Sequence, residues 1–240
     1  MSDEKIKQDL ASMYDKKSSV YGLRYKNLAG RYFMSRKIQT ITKLGNLKGN
    51  EKMIEIGCAN GPYTFQFSSK GFSMTGLDLS EKNIKEAKKR NILLKKGCEF
   101  FVGDAHNLPF KDETFDVVVS ISAIRYVPNP EKAIKEMYRI VKKGGTVIVD
   151  FPNKKSPWFK HLKPMIAQTS HIHDNHYTVS EVKSMFSDSN FSNVENEIIL
   201  FTWKSTPKFL LPLMIIFDRI FESLFFSRSY ASIIVCKGIK

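Results

Sequence analysis

The stretch MIEIGCANGPYTF, residues 53–65, decides how the rest of the chain is read. Met53 to Ile56 is a short apolar run carrying one carboxylate, Glu55. It meets glycine at Gly57, and Gly61 follows four residues later. Tyr63 to Lys70 then reads as a helix. Two glycines between a buried strand and a helix let the turn run tight and let another group touch the main chain. A dinucleotide, a phosphate, another cofactor and plain packing are all open at this point. The nicotinamide and flavin fingerprint requires G-x-G-x-x-G, and Gly57-Cys58-Ala59-Asn60-Gly61 lacks its middle glycine. Glu55 would repel a pyrophosphate and favour a cation.

Outward from this turn, strands and helices alternate. Ser73 to Leu77 is a strand ending at Asp78. Ser80 to Lys89 is a helix with Ser80 as its cap and Asn83, Ile84 and Ala87 on the inner side. Glu99 to Val102 is a strand running into Gly103-Asp104. Phe115 to Ile121, FDVVVSI, is almost continuously apolar, as strands buried on both faces are. Pro130 to Val141 is a helix closed by Lys-Lys-Gly-Gly, and Thr146 to Phe151 is a further buried strand. This order predicts a parallel α/β sheet that binds ligands at the carboxyl ends of its strands. Asp78 lies 23 residues after Glu55, where a carboxylate can accept both hydroxyls of a ribose. Asp104-Ala105 can receive the amino group of an adenine. Ribose, adenine and a positive charge together describe S-adenosylmethionine.

Five pieces carry a family resemblance. They are Ile54-Glu55-Ile56-Gly57-Cys58-Ala59-Asn60-Gly61, Gly76-Leu77-Asp78-Leu79-Ser80, Gly103-Asp104-Ala105, Phe115-Asp116-Val117-Val118-Val119-Ser120 and Arg139-Ile140-Val141-Lys142-Lys143-Gly144-Gly145. In this order and spacing the chain resembles the small-molecule branch of the class I S-adenosylmethionine-dependent methyltransferases, over roughly residues 10–200. The resemblance implies a doubly wound, mostly parallel, seven-stranded Rossmann-like sheet within one domain overall. Residues 1–45 would be an N-terminal helical cap and 46–240 the methyltransferase domain, with S-adenosyl-L-homocysteine as the product of the cofactor. It also implies that Glu55, Gly57, Ala59 and Gly61 contact the methionine half. Asp78 would bind the ribose, with Leu79 against the adenine. Asp104 and Ala105 would hold the adenine edge, and Ser120 would border the sulfonium. The Tyr14-Asp15 pair would close over the cofactor. Relatives often carry glycine where Ala59 stands.

The acceptor side departs from the family. Where many relatives have Leu-x-His-Val, this chain has Ile124-Arg125-Tyr126-Val127. Tyr126 replaces the histidine, and Arg125 is either a binder of an anionic acceptor group or a surface arginine. A polar, proline-containing segment follows at 152–178, an expected lid or acceptor loop. It holds His171, His173, Asp174 and His176, which read as a polar pocket, a solvated loop or a metal cluster. The polar pocket is the reading adopted, with no metal and with His176 as the acceptor-side base. Ser180 to Ser187 is then a helix, Val194 to Phe201 a strand and Tyr230 to Cys236 the last strand.

Lys plus Arg is 38 and Asp plus Glu is 24, a net charge of +14, which favours an anionic partner or reflects a lysine-rich surface. Cys58, Cys98 and Cys236 are far apart and odd in number, against a disulfide framework or a zinc site. The first residues are charged rather than apolar, unlike a signal peptide. A cytoplasmic protein, monomer or homodimer, follows as the expectation. The apolar insertion 207–227 places Leu210, Met214, Phe217, Phe221 and Leu224 at helical spacing, with Asp218, Arg219 and Glu222 to one side. It reads either as a helix buried between the last strands or in a dimer, or as an apolar cap that meets an anionic membrane surface or a lipid-like acceptor. The functional expectation is methyl transfer by in-line displacement to a small, lipid-like or anionic amphipathic acceptor. A nucleic-acid methyltransferase, suggested by the charge, and a non-catalytic scaffold are the alternatives.

Overall fold

The computed structural model describes residues 2–18, 25–157, 174–202, 206–224 and 228–240. Seven strands form one sheet: β1 (Lys52–Ile56), β2 (Ser73–Asp78), β3 (Glu99–Val102), β4 (Phe115–Ser120), β5 (Val141–Pro152), β6 (Ser192–Ile199) and β7 (Ile233–Ile239). Their spatial order is β3-β2-β1-β4-β5-β7-β6. β1 to β5 are parallel, and β7 runs antiparallel between β5 and β6. This is the doubly wound, mostly parallel sheet expected. The order reverses at β1 and β4, and a crevice opens at such a point beyond the strand ends.

The sheet is buried on both faces because its strands alternate two apolar sets. Met53, Val117, Val119 and Ile148 face one core, and Ile54, Val118, Val147 and Val149 face the other. The first core is covered by α2 (Leu28–Leu44), α3 (Pro62–Ser68) and α4 (Glu81–Leu94), the second by α5 (Pro130–Ile140) and α6 (Val179–Ser187). Within the expected N-terminal cap, α1 (Asp3–Lys17) lies beside α4, whereas α2 sends Phe33, Met34, Ile38 and Ile41 into the first core.

Two local expectations need correction. α4 continues to Leu94 rather than ending at Lys89, since no glycine interrupts it before Gly97; Lys95 closes it at φ 50°. The Lys-Lys-Gly-Gly run is a bulge inside β5 rather than a turn ahead of it. Phe115 pairs with Val141 and Val117 with Thr146, so residues 142–145 bow out against Asp116. Gly144 takes φ +73°, and a Cβ on Gly145 would lie 2.7 Å from the Asp116 carbonyl oxygen. The Asp116 carboxylate holds the bulge, accepting from Lys142 Nζ at 2.7 Å and from the Lys52 amide at 2.8 Å.

Two readings are open for the apolar insertion, which contains α7 (Leu211–Ser223). Apart from Leu211, its buried residue is polar rather than apolar. Asp218 is buried and accepts from the amides of Phe201 at 2.7 Å and Thr202 at 2.9 Å. Glu222 accepts from the Leu200 amide at 2.7 Å and pairs with Arg36. The chain leaving β6 exposes amides that lack strand partners, and buried N–H groups must be satisfied. The carboxylates of α7 meet that demand, so its polar side turns inward. Phe201, Phe217 and Phe221 pack together along its flank, with Phe217 and Phe221 stacked at 3.9 Å. Among the described residues no helix is long and apolar enough to cross a membrane.

Ile54 lies wholly buried in β1, between β2 and β4. Ile54→Ala should therefore cost about 2–5 kcal/mol of stability, read as a lowered urea midpoint with an unchanged slope.

Candidate active site

The turn after β1 is bent by three left-handed residues: Gly57 at φ +78°, Ala59 at +48° and Gly61 at +83°. A Cβ on Gly57 would lie 2.3 Å from that of Ala123, so only glycine fits there. Ala59 holds a conformation that an L-residue adopts at some cost. The bend is tied to the end of β2. The Leu77 carbonyl accepts from the amides of Gly57 at 2.7 Å and Cys58 at 3.0 Å, and Asp78 Oδ2 accepts from the Ala59 amide at 2.8 Å. Asp78 Oδ1 accepts from the Ser80 amide at 2.9 Å and Asn83 Nδ2 at 3.2 Å. Burial pushes the Asp78 carboxyl above its usual range, against those hydrogen bonds.

A cleft opens beyond the carboxyl ends of β1, β2, β3 and β4. Its wall includes Tyr14, Gly57, Ala59, Asp78, Leu79, Asp104, Ala105 and Ser120, eight of the ten residues singled out for the cofactor. Glu55 and Gly61 are not on that wall. Gly61 opens α3 and packs toward Phe65 and Phe100. Glu55 is buried and accepts from the Thr64 hydroxyl at 2.5 Å. Burial pushes its carboxyl up to about 8, outweighing that hydrogen bond. The expectation of an open anion inviting a cation at Glu55 is thus corrected: the group is enclosed, and near neutral pH it favours its protonated form.

The cleft has a second wall, of which motif reading found only Tyr14. Lys7, Leu10, Ala11 and Tyr14 of α1 all line it. Their spacing of three, one and three residues puts them on one helical face, a signal present in the sequence. Lys7 Nζ bonds Asp104 Oδ2 at 2.7 Å and so fastens α1 to the end of β3. Burial would raise Asp104, but the His106 amide and the Lys7 ammonium outweigh it and hold the carboxyl below the usual range. Asp15 accepts from the Ser80 hydroxyl and fastens α1 to α4 as well.

Behind the cleft floor lies a buried ion pair. Lys37 of α2 bonds Asp150 of β5 and, at 2.7 Å, the Ser122 hydroxyl. Asp150 Oδ1 accepts from the Ser122 amide at 2.6 Å, and Ser122 lines the cleft. Both charges are almost fully buried. Burial lowers the Lys37 ammonium, and Asp150 only partly restores it. No sequence signal joins positions 37, 122 and 150; only the fold brings them together.

On the acceptor side, Tyr126 lines the cleft and meets Tyr14 edge to face at 6.0 Å between ring centroids. Arg125 lies over the Tyr126 ring at 5.3 Å and pairs with Asp174. His176 is not on the cleft wall. Its Nε2 lies 3.2 Å from Arg125 Nη2, which can only donate, so that nitrogen accepts. The three candidates Arg125, Tyr126 and His176 therefore form one cluster with Asp174, but His176 turns its lone pair to Arg125. The segment 152–178 is pinned at both ends: Tyr177 N donates to Pro152 O at 2.9 Å, Lys154 N to Tyr177 O at 2.8 Å and Asn175 N to Arg125 O at 3.0 Å. His171 and His173 lie outside the described residues. Among the described residues no group of histidine, cysteine and carboxylate side chains could hold a metal ion.

Comparison with known proteins places the chain beside methyltransferases. Residues 54–149 match a family model described as a methyltransferase domain. A sterol 4-C-methyltransferase of Caenorhabditis elegans is 33% identical over 105 residues, covering 43% of this chain and 31% of the relative. A demethylmenaquinone methyltransferase of Staphylococcus epidermidis is 29% identical over 160 residues, covering 65% of this chain and 62% of the relative. The chain thus spans 31% and 62% of the length of these two curated relatives. A solved structure from Thermotoga maritima, described as a methyltransferase and possible histamine N-methyltransferase, has a TM-score of 0.71 at 21% identity, over 95% of this chain and 98% of that one. That likeness concerns the fold.

Two measurements probe the buried charges. Lys37→Met leaves Asp150 buried without its cation and should cost about 3–5 kcal/mol in urea unfolding. Glu55 keeps its proton to about pH 8 in the folded chain, against an ordinary value of 4.5. The folded state therefore binds more protons across that window, and stability falls as pH rises through it. The contribution is complete below the unfolded value and lost above the folded one. Glu55→Gln should flatten this decline in melting temperature.

Proposed function

We propose, from the methyltransferase-domain match at residues 54–149, that the chain is a class I S-adenosylmethionine-dependent methyltransferase and transfers a methyl group to a small, lipid-like or anionic amphipathic acceptor. The observation that carries this reading is the cleft, where seven residues singled out in the sequence gather at the strand ends and Tyr14 faces them from α1. The donor set fits the cofactor. Asp78 offers a carboxylate to a ribose diol, Leu79 an apolar contact to an adenine and Ala105 with Asp104 a border to its edge. Gly57, Ala59 and Ser120 flank the place for the methionine half. Glu55 and Gly61 support that turn from behind, and Tyr14 closes the cleft from α1.

S-Adenosylmethionine supplies an activated methyl on a sulfonium. The protein's part is to align an acceptor atom opposite that methyl and to exclude water. Tyr126 lines the cleft where it can orient the acceptor, and Arg125, beside it but off the wall, would meet an anionic group by exchanging its partner Asp174. His176 acts through Arg125, whose guanidinium it helps to hold, rather than as a base in the cleft. A base is needed only where the acceptor must lose a proton. The acceptor side in this reading draws on α1, which lines the cleft, and on the cluster of Arg125, Tyr126, Asp174 and His176. The sterol, menaquinone and dimycocerosate names of relatives favour apolar acceptors. The same reading places the enzyme in the cytoplasm, at an anionic membrane surface where such acceptors are held.

Calorimetry with S-adenosylhomocysteine tests the cofactor site. The intact chain should bind, and Asp78→Asn should weaken binding by about ten-fold or more, through lost charge-assisted hydrogen bonds. A well-folded chain that gives no heat would refute the assignment. Arg125→Ala should leave that affinity within about two-fold but lower turnover of an anionic acceptor, since it removes the cation beside Tyr126 together with its pair to Asp174. Acceptors would be found by mass spectrometry after incubating a lipid extract with methyl-labelled cofactor.

A further inference from the structure

β6 is antiparallel to β7, and β7 is antiparallel to β5. β6 therefore ends at the same sheet edge as β1 to β5, the edge that carries the cleft. α7 is fastened to that edge by Asp218 and Glu222, which hold the amides of residues 200–202. Its opposite face is apolar and open. Leu213 is 62% exposed, Ile216 55% and Ile220 50%, and Phe209 just before the helix is 80% exposed. Spacings of three and four residues align Leu213, Ile216 and Ile220 in one stripe. A helix that only had to meet water would present its polar side there. Arg219 and Lys208, both exposed, lie beside the stripe.

We propose that this face of α7 docks on an anionic lipid bilayer. The proposal deepens the reading of a membrane-held acceptor and rests on it, because docking would bring the cleft edge to the lipid. Charge complementarity selects this occupant. The chain carries +14, so an anionic surface attracts it while a second copy is repelled. The patch is also small. A stable dimer buries about 800 Å² on each partner, far more than a few side chains of one helix supply. At 13 residues α7 is too short to span a bilayer, which takes about 20. It suits a helix lying in the interface with its apolar side sunk about 5–10 Å.

Flotation with phosphatidylcholine vesicles, with and without phosphatidylglycerol, tests this. The chain should float with the anionic vesicles and less so as salt rises. The double variant Ile216→Asp, Ile220→Asp should lose about ten-fold or more in partitioning. Calorimetry on the same preparations should show unchanged binding of S-adenosylhomocysteine, which proves the variant folded. Equal flotation of variant and parent would overturn the proposal. So would absence of flotation by a parent that binds S-adenosylhomocysteine, or a dimer in light scattering that the variant splits. Flotation without S-adenosylhomocysteine binding would instead uphold docking and sink the methyltransferase reading.

Discussion

The left-handed turn after β1 is the constraint on which the site depends. A strand that continued in extended form would carry its side chains straight into the space beyond the sheet. Positive φ at Gly57, Ala59 and Gly61 folds the main chain back instead. The turn is secured less by its own residues than by β2, through the Leu77 carbonyl and the Asp78 carboxylate. Asp78 therefore has two jobs in the proposed enzyme: it holds the turn's Ala59 amide, and it faces the cleft. That coupling explains why a carboxylate with satisfied oxygens can still serve a ligand. Oδ1 already accepts from two donors, but Oδ2 accepts from the Ala59 amide alone and keeps a lone pair for a ligand, in a direction that the protein donors fix in advance.

Around the turn, charges join elements that are distant in sequence. Lys7 reaches Asp104 and brings a face of α1 over the cleft. Lys37 reaches Asp150 and Ser122 through the core. These pairs differ physically. The Lys7 pair is partly open to water and contributes little to stability, so its value is positional. The Lys37 pair is enclosed, where a missing partner costs far more than the intact pair contributes. It acts as a condition on the fold: α2, β5 and the loop after β4 have to be in place together.

α7 illustrates how backbone demand can overrule side-chain pattern. Its apolar residues would be expected to seek the core. The amides of residues 200–202 need acceptors at the end of β6, and Asp218 and Glu222 are the groups within reach. Satisfying buried backbone donors outweighs covering a few aliphatic side chains. The result is a greasy face at the edge that also carries the cleft.

The alternation of apolar strands and helices, the glycines of the first turn and the acidic residues ending β2 and β3 determined the α/β class and most of the cleft wall from sequence alone. These are local signals, in which a strand period or a turn residue is decided by its immediate neighbours. The face Lys7, Leu10, Ala11 and Tyr14 was equally legible as periodicity, yet nothing local told which way it pointed. Only the tertiary structure enclosed Glu55, joined Lys37 to Asp150, turned His176 toward Arg125 and inverted α7. Each of those outcomes depends on burial or on a partner far along the chain. Desolvation and long-range pairing arise only once the strands have been ordered side by side.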